Sequence, residues 1–159
     1  MRSWLAPVGA ALLLPVLFAA ARAVDAPQST DQSSDLAREE QSLTAVCAHC
    51  HNLQMVTSTP RSYDAWHDTV QKMVDHGAKG TDDQLDDIMD YLHRTLTTID
   101  VNSADVDELE IVLNVSETTA EAIVARRKTR KFTGLADLKS IPGVDASTVD
   151  SKARMIFFN

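Results

Sequence analysis

Val46-Cys47-Ala48-His49-Cys50-His51-Asn52-Leu53-Gln54 holds both cysteines of the 159-residue chain, three positions apart, with a histidine directly after the second. Several chemistries use a Cys-x-x-Cys pair. A redox disulfide of the thioredoxin kind needs a βαβ setting, and no convincing strand pattern flanks this pair. A structural zinc site needs four ligands, and no second cysteine pair follows. A plain pair of buried cysteines would leave the position of His51 without a reason.

The histidine favours a further reading. In Cys-x-x-Cys-His, two thiols form thioethers to the vinyl-derived carbons of a haem, and the adjacent imidazole ligates the iron. On one helical turn Cys47, Cys50 and His51 would converge on a single surface, so a short segment both staples and ligates the group. The expected cofactor is one covalent haem c. His49, inside the motif, is expected at the surface.

Upstream, Arg2 precedes an apolar run over residues 5–21, broken by Pro7 and Pro15 and ending in Ala21-Arg22-Ala23. This pattern predicts a signal peptide over residues 1–23, cleaved before Val24, with retention as an N-terminal anchor as the alternative. The remainder is then periplasmic or otherwise exported, with no stable membrane insertion after signal removal. Residues 24–34 are polar and aperiodic and read as a mobile lead-in.

Helical signals follow. Residues 35–47 place Leu36, Leu43 and Val46 at helical spacing, with Ser34 as N-cap. Residues 52–60 read as a loop. Residues 62–76 carry Tyr63, Trp66, Val70, Met73 and Val74 at steps of three and four, and Gly77 stops them. Thr81 and Gln84 form a capping box before Leu85, Ile88, Met89, Leu92 and Leu96. The texture changes near Thr98. Beyond it come helices over 105–113 and 118–128, a linker over 129–134, and a second helical pair over 135–140 and 146–157.

The whole chain carries 15 basic and 23 acidic residues; without residues 1–23 the balance is 13 against 23, or −10. Residues 24–98 hold 5 basic and 13 acidic residues, a balance of −8, whereas residues 99–159 are near balance at −2. Such a surface repels phosphate backbones and favours a partner with a basic docking patch. No serine–histidine pair, spaced carboxylate pair or phosphate loop accompanies the motif. An electron carrier is therefore expected rather than an enzyme, although an electron-transfer subunit of a dehydrogenase is compatible.

The stretch from Val46 to Gln54, then Trp66, Val70, Lys72-Met73, Gly77-Ala78 and Tyr91-Leu92, resembles the small class I c-type cytochromes that serve as periplasmic carriers. The resemblance implies an all-α domain wrapped on the haem, with Cys47 and Cys50 as thioether residues, His51 as proximal ligand and a methionine as distal ligand. Met73 occupies the family's ligand position, 22 residues after His51. Met55 is four residues from His51, too close to reach the opposite haem face, and Met89 lies on an apolar core stripe. His67, His76 and His93 stand in reserve, and Trp66 is expected to pack on the haem. With His and Met ligation the iron has no open position, which suits transfer rather than oxygen chemistry.

Val101-Asn102-Ser103-Ala104, Asp107-Glu108-Leu109, Ala120, the run from Ala122 to Arg127, Phe132, Leu135, Leu138, Ile141-Pro142-Gly143-Val144 and Thr148 resemble the tandem helix-hairpin-helix domain of secreted competence DNA-binding proteins. In DNA-binding members a Gly–hydrophobic–Gly turn brings backbone amides to a phosphate. Here the turns read Asn114-Val115-Ser116 and Gly143-Val144-Asp145, so the first lacks glycine and the second places a carboxylate where a phosphate would be received. Arg126, Arg127, Lys128, Arg130 and Lys131 form the one basic run, a candidate contact for an anion or partner.

The expected fold is all-α: a cytochrome c-like haem domain over residues 35–98, followed by a tandem helix-hairpin-helix module over 99–159. The expected function is electron transfer to or from a periplasmic redox protein, with the C-terminal module docking and DNA disfavoured as partner. The alternatives are a secreted DNA-binding protein with an accessory haem domain, and a haem-based sensor.

Overall fold

The computed structural model describes residues 29–159, with side chains from Ser33 onward. The expected signal segment and the first part of the lead-in lie outside the described residues. The described chain is mostly helical, with eight helices and one two-stranded sheet. Among the described residues, no helix is long and apolar enough to cross a membrane.

α1 (Ser29–Cys47) begins six residues before the expected start, so residues 29–34 are helical and Ser34 is not its N-cap. Once a helix is anchored, each added residue costs little, and a polar, solvated run can extend it. Its inward face is Glu39, Ser42, Leu43 and Val46, all buried, while Leu36 is exposed. That face packs mainly on α4 (Asp82–Leu96). Ser42 Oγ donates to Asp87 Oδ2 at 2.8 Å and Arg38 Nε to Asp87 Oδ1 at 3.0 Å, tying the two helices.

Residues expected as a loop contain α2 (Leu53–Thr57). Asn52 caps it, its side chain accepting the Gln54 amide at 2.9 Å, and Leu53 and Val56 pack against the adjoining core. α3 (Tyr63–Asp75) is capped by Ser62 and ends at His76, before Gly77 at φ +99. The Thr81–Gln84 capping box forms as its sequence requires.

β1 (Ile99–Asp100) opens the C-terminal part, followed by α5 (Val106–Leu113), α6 (Glu117–Thr129), α7 (Leu135–Lys139) and α8 (Ala146–Ser151). The last helix was expected to reach residue 157 but ends at Ser151. Residues 156–157 instead form β2 (Ile156–Phe157), which pairs in parallel with β1, Ile99 opposite Ile156. Pairing buries Ile99 and Ile156 together, a gain that a continued helix would forfeit.

Two cores result. One joins Leu43, Val46, Trp66, Ile88 and Leu92. The other gathers Leu109, Val112, Leu113, Ala120, Ile123, Phe132, Leu138 and Val149 around Ile99, Val101 and Ile156. The change near Thr98 separates the cores but leaves them in contact. Tyr63 of α3 packs against the second core and stacks on His93 of α4, ring centroids 3.8 Å apart. Lys152 Nζ donates to the carbonyls of Arg94 and Val112, so one ammonium closes the ends of α4 and α5.

Candidate functional site

The first core is open at its centre. A cavity of about 230 Å³ lies between α1, α2, α3 and α4. The face of α3 supplies Trp66, Thr69, Val70, Met73 and Val74, positions that recur at three and four residues and so share one side of the helix. α1 supplies Leu43, Val46 and Cys47, and α4 supplies Leu85, Ile88 and Leu92. His51, Met55, Val56, Arg61 and Ala78 complete the wall. Gly80 lets α1 come close, since a Cβ there would lie 3.1 Å from Val46 Cγ2.

Cys47, His51, Trp66 and Met73 therefore open on one apolar cavity. Cys50 is exposed and is not among the residues that line it. Neither cysteine is in a disulfide. Burial pushes the Cys47 thiol up, so it is protonated at neutral pH and unlike the thiolate of a redox exchange site. His51 Nδ1 is buried without a hydrogen-bond partner. His51 with its orphaned imidazole nitrogen, the Cys47 thiol and the Met73 thioether lie on one apolar wall and could hold a flat apolar group carrying a metal, such as a haem, whereas the Cys50 thiol, expected on the same surface, is not on that wall. Among the described residues, no three His, Cys, Asp or Glu side chains gather as an ion cage.

The other candidate ligands fall elsewhere, with one exception. Met55 lines the cavity and is 70 % exposed. Met89 packs against the core without lining the cavity. His93 is buried at the joint between the cores, and desolvation lowers its pKa. His67 and His76 are not part of the wall, and His49 is exposed. Trp66 is fully buried, and its indole N–H donates to the Leu96 carbonyl at 3.0 Å.

The hairpin turns form a second candidate surface. Asn114 takes the left-handed conformation at φ 53, and Ser116 Oγ accepts the Thr119 amide at 3.3 Å. Gly143, at φ +92, lies so close to α6 that a Cβ would fall 2.3 Å from Thr119 Oγ1. The two turns are thereby packed side by side. Asp145 caps α8, and its carboxylate is held below the usual range by the Ser147 hydroxyl and the Thr148 amide.

Four of the five residues of the basic run are engaged within the module. Arg126 pairs with Asp137 at 2.7 Å and lies 4.3 Å from the centroid of the Phe132 ring. Arg127 donates to the Val101 carbonyl at 2.9 Å, Arg130 pairs with Asp137 at 3.2 Å, and Lys131 donates to the Asn159 carbonyl at 3.1 Å. Lys128 is exposed and has no partner among the described residues.

Sequence reasoning did not reach Arg61. It lies between the segment read as a loop, residues 52–60, and the helix expected from Ser62, where no periodicity assigns a facing.

Residues 95–156 match the family model of the helix-hairpin-helix motif. This agrees with the paired helices and turns of the C-terminal part. No curated protein and no solved structure matches the chain.

Proposed function

We propose that the chain is an exported monohaem c-type cytochrome that passes electrons to or from a periplasmic redox protein, acting as a carrier rather than an enzyme. The carrying observation is that Met73, 22 residues beyond His51, opens on the same apolar cavity as Cys47 and His51, beside Trp66. In this reading Cys47 and Cys50 would hold haem c through thioethers, and His51 and Met73 would ligate its iron. The haem supplies a one-electron iron couple when bound. Trp66, Val70, Ile88 and Leu92 keep water from the cavity, which favours the less charged state of the couple. The −8 balance of residues 24–98 favours a basic partner.

The helix-hairpin-helix module serves docking in this reading. The match over residues 95–156 favours a second one, a DNA-binding module beside an accessory haem domain. Against that stand the caps of α6 and α8, where Ser116 and Asp145 already occupy amides that would receive a phosphate.

The deciding experiment is extraction of the exported, denatured protein with acidified acetone. Haem is expected to stay with the polypeptide, and Cys47→Ala to yield little holoprotein. Complete loss of haem into the solvent sinks the assignment. A carbon monoxide difference spectrum then separates a carrier, which shows little change, from a sensor with an open iron position.

A further inference from the structure

His93 sits where the two cores meet, away from the cavity. It is 6 % exposed, and its ring stacks on Tyr63 of α3 with centroids 3.8 Å apart and planes 18° apart. Tyr63 in turn packs against the second core. The Tyr63 backbone hydrogen-bonds to the His93 ring, whereas His93 Nε2 is buried with no hydrogen-bond partner among the described residues. A neutral imidazole tolerates this, because an unprotonated nitrogen is only an unfilled acceptor. An imidazolium would set a second N–H and a full charge into the joint with nothing to receive them.

The charged groups around the joint do not supply that acceptor. On α4, Asp90 favours the charged ring, and Arg94 is paired with Glu39 of α1 at 3.0 Å. On α3, His67 opposes the charge. Asp105, Asp107 and Glu108 act on the Tyr63 phenol, and Asp64 of α3 and Arg127 of α6 act on Glu108. Lys152, at the end of α8, is committed to the Arg94 and Val112 carbonyls. Burial outweighs the acidic neighbours and lowers the His93 pKa below its ordinary value of about 6.5.

We infer that His93 is an acid-sensitive catch between the two cores: protonation of its ring opens the Tyr63 contact and frees the helix-hairpin-helix module from the first core. The opened chain binds the proton more tightly than the packed one. Packing is therefore fully in force above about pH 6.5 and weakens as pH falls through that value toward the lower packed-state pKa. Lys152, lowered by burial from 10.5 to about 8, moves the balance only in the alkaline range. Glu108, raised by burial, acts in the opposite sense, so loosening on acidification cannot come from it.

The test is amide hydrogen exchange of the full-length protein at about pH 7.5 and about pH 5.5, corrected for intrinsic exchange, as wild type and His93→Phe. The Phe variant keeps a ring on Tyr63 and takes no proton. The reporter is the Thr98 amide, which crosses to the Arg61 carbonyl at 2.8 Å; the controls are the Ala120 and Val149 amides inside the module. On acidification wild-type Thr98 is expected to exchange roughly threefold to tenfold faster while the controls hold, and His93→Phe to lose that response. If His93→Phe does not accumulate, His93→Gln reads the same loss. Unchanged Thr98 protection overturns the inference, as does a response retained in either variant or an acceleration shared by the controls. The measurement does not depend on haem, so its failure and that of the cytochrome reading are separate.

Discussion

The Asp145 carboxylate accepts the Thr148 amide at 2.7 Å, so α8 begins on a negative charge that belongs to the chain itself. The preceding hairpin does the same with a hydroxyl, Ser116 Oγ accepting the Thr119 amide at 3.3 Å. A phosphate arriving at either turn would have to displace a cap, and at Asp145 it would also meet a like charge. The nearby basic run offers little compensation, because Arg126, Arg127, Arg130 and Lys131 are already bonded within the module.

Duplex DNA should accordingly be retained weakly at low salt, without sequence preference, and released as salt rises. Replacing Asn114, Ser116 and Asp145 together with glycine should tighten retention by roughly tenfold, by opening the amides to phosphate. Electrophoretic mobility shifts over a salt series measure both. Micromolar or tighter binding by the unaltered protein at physiological salt would restore DNA binding as the function.

Met73 should be the distal ligand, so Met73→Ala should abolish the weak near-infrared sulfur-to-iron charge-transfer band and lower the potential. Met89→Ala, off the cavity, should keep the band while losing about 2 kcal/mol of stability. Met55→Ala should also keep it, even though Met55 lines the cavity, because it follows His51 by four residues. Absorbance of the oxidised variants decides, and a band lost in Met55→Ala would reassign the ligand.

Gly143 and Gly77 both have positive φ, +92 and +99, but differ in surroundings. Gly77→Ala should cost about 1 kcal/mol, the strain of a left-handed residue. Gly143→Ala should cost at least about 2 kcal/mol, since its Cβ would also meet Thr119 Oγ1 at 2.3 Å. Denaturant midpoints of the two variants should differ in this order, and equal losses would contradict the close packing of the turns.

Asp137 gathers the Thr133 amide and hydroxyl with Arg126 and Arg130, and the Thr133 bonds chiefly hold its pKa below the usual carboxylate value. The unfolded chain therefore takes up the proton first as pH falls. The stabilisation is complete above the unfolded value of about 3.9 and is lost as pH drops through the lower folded value. Asp137→Asn should lower the melting temperature by several degrees at neutral pH and flatten this acid limb. A variant retaining the full acid limb would move its origin elsewhere.

What the sequence determined by itself lies within a few residues of its signal. The Thr81–Gln84 box, the Ser62 cap, the stop at Gly77 and the turn at Gly143 all follow from groups one helical turn apart, whose bonds are decided locally. The same range covers the Cys47, Cys50 and His51 spacing and the carboxylate at Asp145. Tertiary structure alone decided the pairing of Ile99 with Ile156, the bond from Arg127 to the Val101 carbonyl, and the place of Arg61 on the cavity wall. Each joins residues separated by long stretches of chain, or depends on elements meeting around shared apolar surface. Loop closure and packing set those partners, and neither leaves a periodicity in the sequence.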